Sequence, residues 1–208
     1  MRGLVIATIA ISCAAGAYAA DERRTFPIEQ AAEGITRLVI DAGVGEIEVV
    51  GSEVATISGS VEVTSEKSGM RKRAQLEKLE LEVRRSGSAL YVEVKGDDGH
   101  HDWGEEWLLT VPKALALSID IGVGDVTARD LAGGVEIDVG VGEVTIEGEH
   151  AAYGRIDADS GVGDVELRTP TGRQHGDGFI GKELRTEGPG KAPISVDVGV
   201  GEVTIRLR

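Results

Sequence analysis

The stretch that decides the fold is Val135-Glu-Ile-Asp-Val-Gly-Val-Gly-Glu-Val-Thr-Ile146. Its centre is a Gly-Val-Gly followed by an acidic residue and an aliphatic residue. The same unit occurs five times in the 208 residues, at 43–47, 122–126, 140–144, 161–165 and 199–203. A unit repeated this often predicts an architecture built from one recurring element of structure.

The apolar residues around each unit follow one pattern. They stand five, three and one positions before the first glycine, and one, four and six positions after it. A period of two on each side indicates β-strand with one buried face, which here includes the valine of each unit. The step of three across the second glycine reverses the face, and this predicts a bulge or corner where glycine supplies backbone freedom.

The spacing of the units predicts the fold class. The first glycines at 122, 140 and 161 are 18 and 21 residues apart. Two short strands and two turns of this length suit one coil of an all-β solenoid, in which stacked coils share a core. We therefore predict a β-solenoid or β-roll of 18–21-residue repeats. The alternative is an antiparallel β-sandwich, with each Gly-Val-Gly bending the chain between paired strands.

The N-terminus resembles a secretory signal. Arg2, an apolar run and Ala17-Tyr18-Ala19 predict a signal peptide over residues 1–19. Cys13 gives a lipoprotein signal as the minor alternative. We expect a leader at 20–37 and a single all-β domain at 38–208, with irregular strands and a hairpin over 38–107 and regular repeats over 108–208. Cleavage after Ala19 would leave no cysteine, so core packing alone must stabilise the mature chain.

Composition and motifs argue against several classes of function. The formal charge of −14 disfavours nucleic acid as a partner. The Gly-Val-Gly units lack the third glycine and following helix of a nucleotide-binding loop. No later stretch is apolar for long enough to predict a transmembrane segment. Because no arrangement for nucleophilic catalysis is recognisable either, we expect a non-enzymatic protein with no catalytic, cofactor-binding or metal-binding residues.

Acidic residues follow each Gly-Val-Gly and are candidates for binding a cation. In a parallel stack, the acids after each Gly-Val-Gly would form a column that is hydrated, interleaved with basic residues, or bridged by a cation such as calcium. These acids are Glu46, Asp125, Glu143, Asp164 and Glu202.

His100-His101-Asp102 has metal-ligand residue types, but we interpret it as an exposed acidic loop. We expect Trp103 and Trp107 to cap an open end of the core rather than to anchor a partner.

The repeated units, the stretch Leu108-Leu-Thr-Val-Pro-Lys113 and the predicted export resemble the bacterial putative-adhesin family. The resemblance covers about residues 35–208. It implies a β-solenoid-like envelope protein and brings no catalytic residues.

Two functions follow from these predictions. The first is an exported cell-envelope protein, in the periplasm or at the cell surface, with an adhesin-like or assembly role. Its partner would be an unknown envelope or surface protein, or a second copy of itself. The alternative is a periplasmic accessory or sensor-like binding module that depends on a cation held at the acidic edge.

Overall fold

A computed structural model describes residues 23–65, 76–96, 103–178 and 181–208. The signal peptide, Cys13 and His100-His101-Asp102 lie outside these residues. The described residues form a single-turn 3-10 helix at His150–Ala152 and twelve strands. The strands are β1 (Arg23–Ala31), β2 (Arg37–Ser52), β3 (Thr56–Thr64), β4 (Glu80–Ser86), β5 (Ala89–Lys95), β6 (Gly104–Pro112), β7 (Ala116–Arg129), β8 (Val135–Gly148), β9 (Tyr153–Thr169), β10 (Gly172–His175), β11 (Lys182–Glu187) and β12 (Ala192–Leu207).

The all-β prediction is confirmed, and all twelve strands belong to one sheet. The five strands that carry a Gly-Val-Gly unit lie side by side in the order β2-β7-β8-β12-β9. They are parallel and in register, so that Gly45 pairs with Gly124 and Gly201 pairs with both Gly142 and Gly163. The spatial order differs from the chain order at one place, because β12 lies between β8 and β9.

Each of these long strands turns a corner at its Gly-Val-Gly. In β8 the buried residues alternate up to Val139 and resume at Val144. One cluster of buried residues contains apolar side chains from both sides of the corner, such as Ile137 and Ile146. The bent sheet therefore encloses a single core between the first and second halves of its strands.

The link between β7 and β8 shows how far the strands curl. Residues 130–134 join the two strands, although the strands are parallel neighbours with Leu117 beside Val135. A straight strand of 14 residues would be about 46 Å long, whereas five linking residues reach across about 20 Å at most. Since the link must return the chain to the start of its neighbour, β7 has to fold back on itself.

Glycine is required in the unit because neighbouring strands approach closely there. A β-carbon on Gly142 would lie 1.8 Å from the carbonyl oxygen of Gly124, and one on Gly140 would lie 2.4 Å from that of Gly122. The second glycines also have φ angles between 145° (Gly124) and 152° (Gly142), which side chains rarely adopt. Close approach and positive φ both account for glycine at the point where the buried face of the strand reverses.

The predicted burial of the valine inside each unit is wrong. Its exposed fraction lies between 40% (Val44) and 51% (Val162). The last buried position before the corner is one residue ahead of the first glycine, and the next is four residues after it. The valine between them lies on the outer side of the bend, where its side chain points away from the core.

Shorter strands cover both ends of the five-strand array. At one end, β5 pairs with the first half of β2 and β6 with its second half. At the other end, β11 pairs with the first half of β9 and β10 with its second half. The hairpin predicted in the N-terminal part is formed by β4 and β5. Part of the segment predicted as a leader forms β1, which pairs with β3.

Candidate functional site

The corner presents a row of exposed valines, which we call the valine column. Its members, in spatial order, are Val44, Val123, Val141, Val200 and Val162. Direct pairing places them one strand apart, so four steps of about 4.8 Å make the column about 19 Å long. The structure thus brings together five apolar side chains that are far apart in sequence and leaves them in contact with solvent.

An acidic row follows the valine column at two residues' distance along each strand. Glu46, Asp125, Glu143, Glu202 and Asp164 occupy it, and all five are exposed. Neighbouring strands also contact one another here, since the backbone N–H of Glu143 donates a 2.9 Å hydrogen bond to the Asp125 carboxylate. These are the acids that the sequence predicted to form a column, and we call them the second acid column.

A first acid column lies on the other side of the valines. Every unit has an aspartate two positions before its first glycine, and register pairs these aspartates across the strands. They are Asp41, Asp120, Asp138, Asp197 and Asp159. Sequence reasoning missed this column because it compared only apolar positions and the acid after the glycines. Alignment of all positions of the five copies would have revealed it.

Asp138 lies at the centre of the first acid column, between Asp120 and Asp197. Partial burial and the carboxylates of Asp120 and Asp197 raise the pKa of Asp138 above its ordinary value. Among the described residues, no ion pair includes Asp120, Asp138, Asp197 or Asp159. The arginines of the array pair elsewhere, as Arg129 does with Glu48 at 2.5 Å and with Glu147 at 3.5 Å.

The two tryptophans that the sequence singled out lie in the core. Trp103 and Trp107 are buried rather than presented to a partner, and their indole N–H groups each donate a 2.9 Å hydrogen bond to a different carboxylate oxygen of Glu105. That they cap an open end of the core stays a prediction. Within the described ranges, no group of three or more His, Cys, Asp or Glu side chains is arranged to hold a metal ion. Calcium binding by the second acid column therefore stays a prediction.

A small surface depression lies beside β9, among residues of β10, β11 and the 3-10 helix. Its volume is about 130 Å³, and it is lined by residues that include His150, Thr169, Gln174 and Glu187. Pockets for drug-sized ligands usually measure about 300 Å³ or more. This depression is too small to bind such a ligand, and the corner remains the candidate site.

Among the residues that the structure describes, no helix has the length and apolar character needed to cross a bilayer.

Comparison with known proteins gives a family and distant structural likenesses. No curated protein matches the chain. A putative cell adhesion protein from Clostridium sporogenes is 14% identical with a TM-score of 0.49, over 91% of this chain and all of that one. A putative adhesin from Bacteroides fragilis is 11% identical with a TM-score of 0.26, over 88% of this chain and 97% of that one. Likenesses this distant do not inform the function of the chain.

The family is shown by a match over residues 17–168, which contain four of the five Gly-Val-Gly units. This stretch covers well over half of the chain. The chain belongs to the family described as the N-terminal domain of toast_rack, DUF2154.

Proposed function

We propose that this chain is a non-enzymatic, exported cell-envelope protein with an adhesin-like or assembly role. Its contact surface is the corner surface, defined as the valine column together with the two acid columns. The observation that carries the proposal is the exposure of all five valines in one unbroken row. Rows of exposed apolar side chains bordered by polar residues mark sites where proteins associate.

The requirements of the fold do not explain these valines. Threonine has the same branching at its β-carbon and therefore the same preference for extended backbone. It would also be hydrated at an exposed corner. All five units nevertheless carry valine, which gains free energy only when another surface covers it.

We also infer that the array is a β-roll, the flattened form of the solenoid predicted from the repeat spacing. The short link from β7 to β8 and the shared core of the two strand halves support this inference. A roll presents the same corner position once per coil. This regularity is what converts a repeated residue into a continuous contact surface.

A cross-linking experiment in living cells tests the role of the corner surface. A photoreactive amino acid would replace Val141, and a control variant would carry it at Val54, which is 38% exposed but outside the column. We expect a cross-linked band at Val141 that is absent at Val54. Equal patterns at both positions would contradict the proposal, because contact would then depend on exposure alone.

Export requires a separate test. The signal peptide predicted at residues 1–19 would be removed, so that the mature protein begins at Ala20. N-terminal sequencing of the protein recovered from its native host measures this directly. A protein that still begins at Met1 would contradict export.

The second candidate is the cation-dependent binding module in the periplasm. The alignment of five exposed carboxylates in the second acid column favours it, because neighbouring like charges gain stability when a cation neutralises part of them. The test is thermal unfolding with calcium and with a chelator. A shift of the midpoint that saturates with calcium would support this candidate, and a gradual shift that magnesium and sodium reproduce at equal ionic strength would contradict it.

A further inference from the structure

We propose that the corner surface is a docking site for a cationic amphipathic α-helix. The apolar stripe of the helix would cover the valine column, and lysine or arginine side chains on both sides of the stripe would meet the two acid columns. The inference rests on the proposed function, in which the corner surface makes contact with a partner. It adds the chemical class and the shape of that partner.

The charge of the surface selects the partner. Five exposed valines lie between two rows of five acidic residues each, in a chain whose formal charge is −14. A second copy of this chain would bring the same acidic rows against them and be repelled. An anionic membrane would be repelled for the same reason. A partner with an apolar stripe flanked by positive charge would cover the valines and pair with both acidic rows.

The spacing of the valines favours a helix over an extended strand. The column repeats about every 4.8 Å, and successive turns of a helix repeat every 5.4 Å or so. Side chains on one face of a strand repeat at about 6.6 Å instead. Over the four steps of the column, a helix drifts out of register by about 2.4 Å and a strand by about 7 Å. Only the helix can keep one apolar side chain near each valine.

The width of the corner surface also matches the width of an α-helix. The second acid column is two residues from the valine column along the strand, and the first acid column is three residues away. At about 3.3 Å per residue these are distances of about 7 and 10 Å at most. A helix with its side chains is about 10 Å wide, so lysine side chains on its flanks reach both acid columns.

Binding is tested with a synthetic probe. The probe is an amidated helical peptide of about 15 residues, with leucines repeating every three to four residues and lysines on both sides of that stripe. A scrambled peptide of the same composition has the same charge without the stripe. Isothermal titration calorimetry should give at least tenfold tighter binding for the striped peptide, and its binding should weaken as salt concentration rises.

Variants of the full chain locate the binding. The triple variants Val123→Ser/Val141→Ser/Val200→Ser and Asp120→Asn/Asp138→Asn/Asp197→Asn should each weaken the striped peptide about tenfold. Controls outside the corner surface are Val54→Ser, which tests the loss of one exposed valine, and the charge-matched Glu29→Gln/Glu33→Gln/Glu53→Gln at exposed positions. The controls should change affinity less than twofold. Circular dichroism confirms that each variant is folded.

Two results would overturn the inference. One is equal binding of the striped and scrambled peptides, which would show attraction by net charge alone. The other is an equal loss of affinity in the control variants. If the in-cell cross-link at Val141 is present while the striped peptide fails to bind, the corner surface is still a contact surface and only the identity of the partner as a cationic helix is refuted.

Discussion

Gly124 packs so closely against Gly45 that a β-carbon on Gly124 would lie 1.7 Å from the Gly45 carbonyl oxygen. Gly124→Ala should therefore force neighbouring strands apart at the corner, in addition to straining a residue whose φ is 145°. We expect a loss of about 2–4 kcal/mol in the free energy of unfolding. Urea unfolding followed by circular dichroism measures this loss.

Gly172 provides a control that separates the clash from the backbone strain. Its φ of 152° matches that of Gly124, but no atom lies within 4 Å of its added β-carbon. Gly172→Ala should cost only the strain, about 1 kcal/mol. Equal losses in the two variants would show that the close approach of the strands does not explain the glycine.

The strands and the corner were predictable because their causes are local. Val135, Ile137 and Val139 alternate with polar residues, and Gly142 follows at the point where the face reverses. Local patterns do not specify which strand lies next to which. All five units present nearly the same edge to a neighbour, so nothing in them indicates that β12 lies between β8 and β9.

The corner surface was only half predictable. The second acid column could be inferred, since the acids follow a recognisable motif. The exposure of Val141 could not, because apolar periodicity treats every valine as a core residue. Its position on the outer side of a bend becomes visible only when the two halves of the strand are placed in space.

Asp138→Asn should stabilise the protein at neutral pH. Partial burial and the carboxylates of Asp120 and Asp197 raise the pKa of Asp138 above 3.8, and Glu136, which pairs with Arg37, contributes to the rise. A raised pKa means that the folded state favours the protonated acid, so this group contributes stability below about pH 4 and loses it as pH rises. At pH 7 the variant should gain less than about 1 kcal/mol, because the site is largely exposed.

Urea unfolding of Asp138→Asn and the unaltered chain at several pH values measures that gain. The difference between the two proteins should disappear as pH falls below about 4. Glu53→Gln changes one exposed carboxylate outside the acid columns and serves as the control. A constant difference across this range would contradict the assignment of the effect to the aspartate array.

Glu105→Gln should loosen the packing of Trp103 and Trp107. Both carboxylate oxygens of Glu105 accept an indole hydrogen bond, from Trp103 and from Trp107. Glutamine offers one oxygen and one NH₂ group, so one buried indole N–H would face another donor. We expect a loss of about 1–3 kcal/mol in the free energy of unfolding.

Fluorescence reports on this pair of side chains directly because the chain has two tryptophans. The emission maximum of Glu105→Gln should shift to longer wavelength if water reaches either indole. Glu106→Gln alters the exposed neighbour on the same strand and should leave both emission and stability unchanged. Unchanged emission and stability in Glu105→Gln would refute the structural role of this carboxylate.

Tyr153→Phe should weaken the protein at neutral pH and protect it at alkaline pH. The buried Tyr153 hydroxyl donates a 2.8 Å hydrogen bond to the Leu131 carbonyl oxygen. Its loss should cost about 1 kcal/mol at pH 7. Burial and the nearby Asp130 carboxylate raise the pKa of Tyr153 from 10.0 to about 12. The neutral tyrosine is therefore favoured by folding, and its contribution is lost between about pH 10 and 12.

Because phenylalanine does not ionise, the unfolding free energies of the two proteins should cross in this range, where ionisation costs the unaltered chain up to about 2–3 kcal/mol. Urea unfolding from pH 8 to pH 12 measures both curves. The lysines also titrate at alkaline pH, but they do so equally in both proteins. Tyr91→Phe, at a half-exposed position, controls for loss of a hydroxyl group. Curves that stay parallel up to pH 12 would show that Tyr153 does not limit alkaline stability.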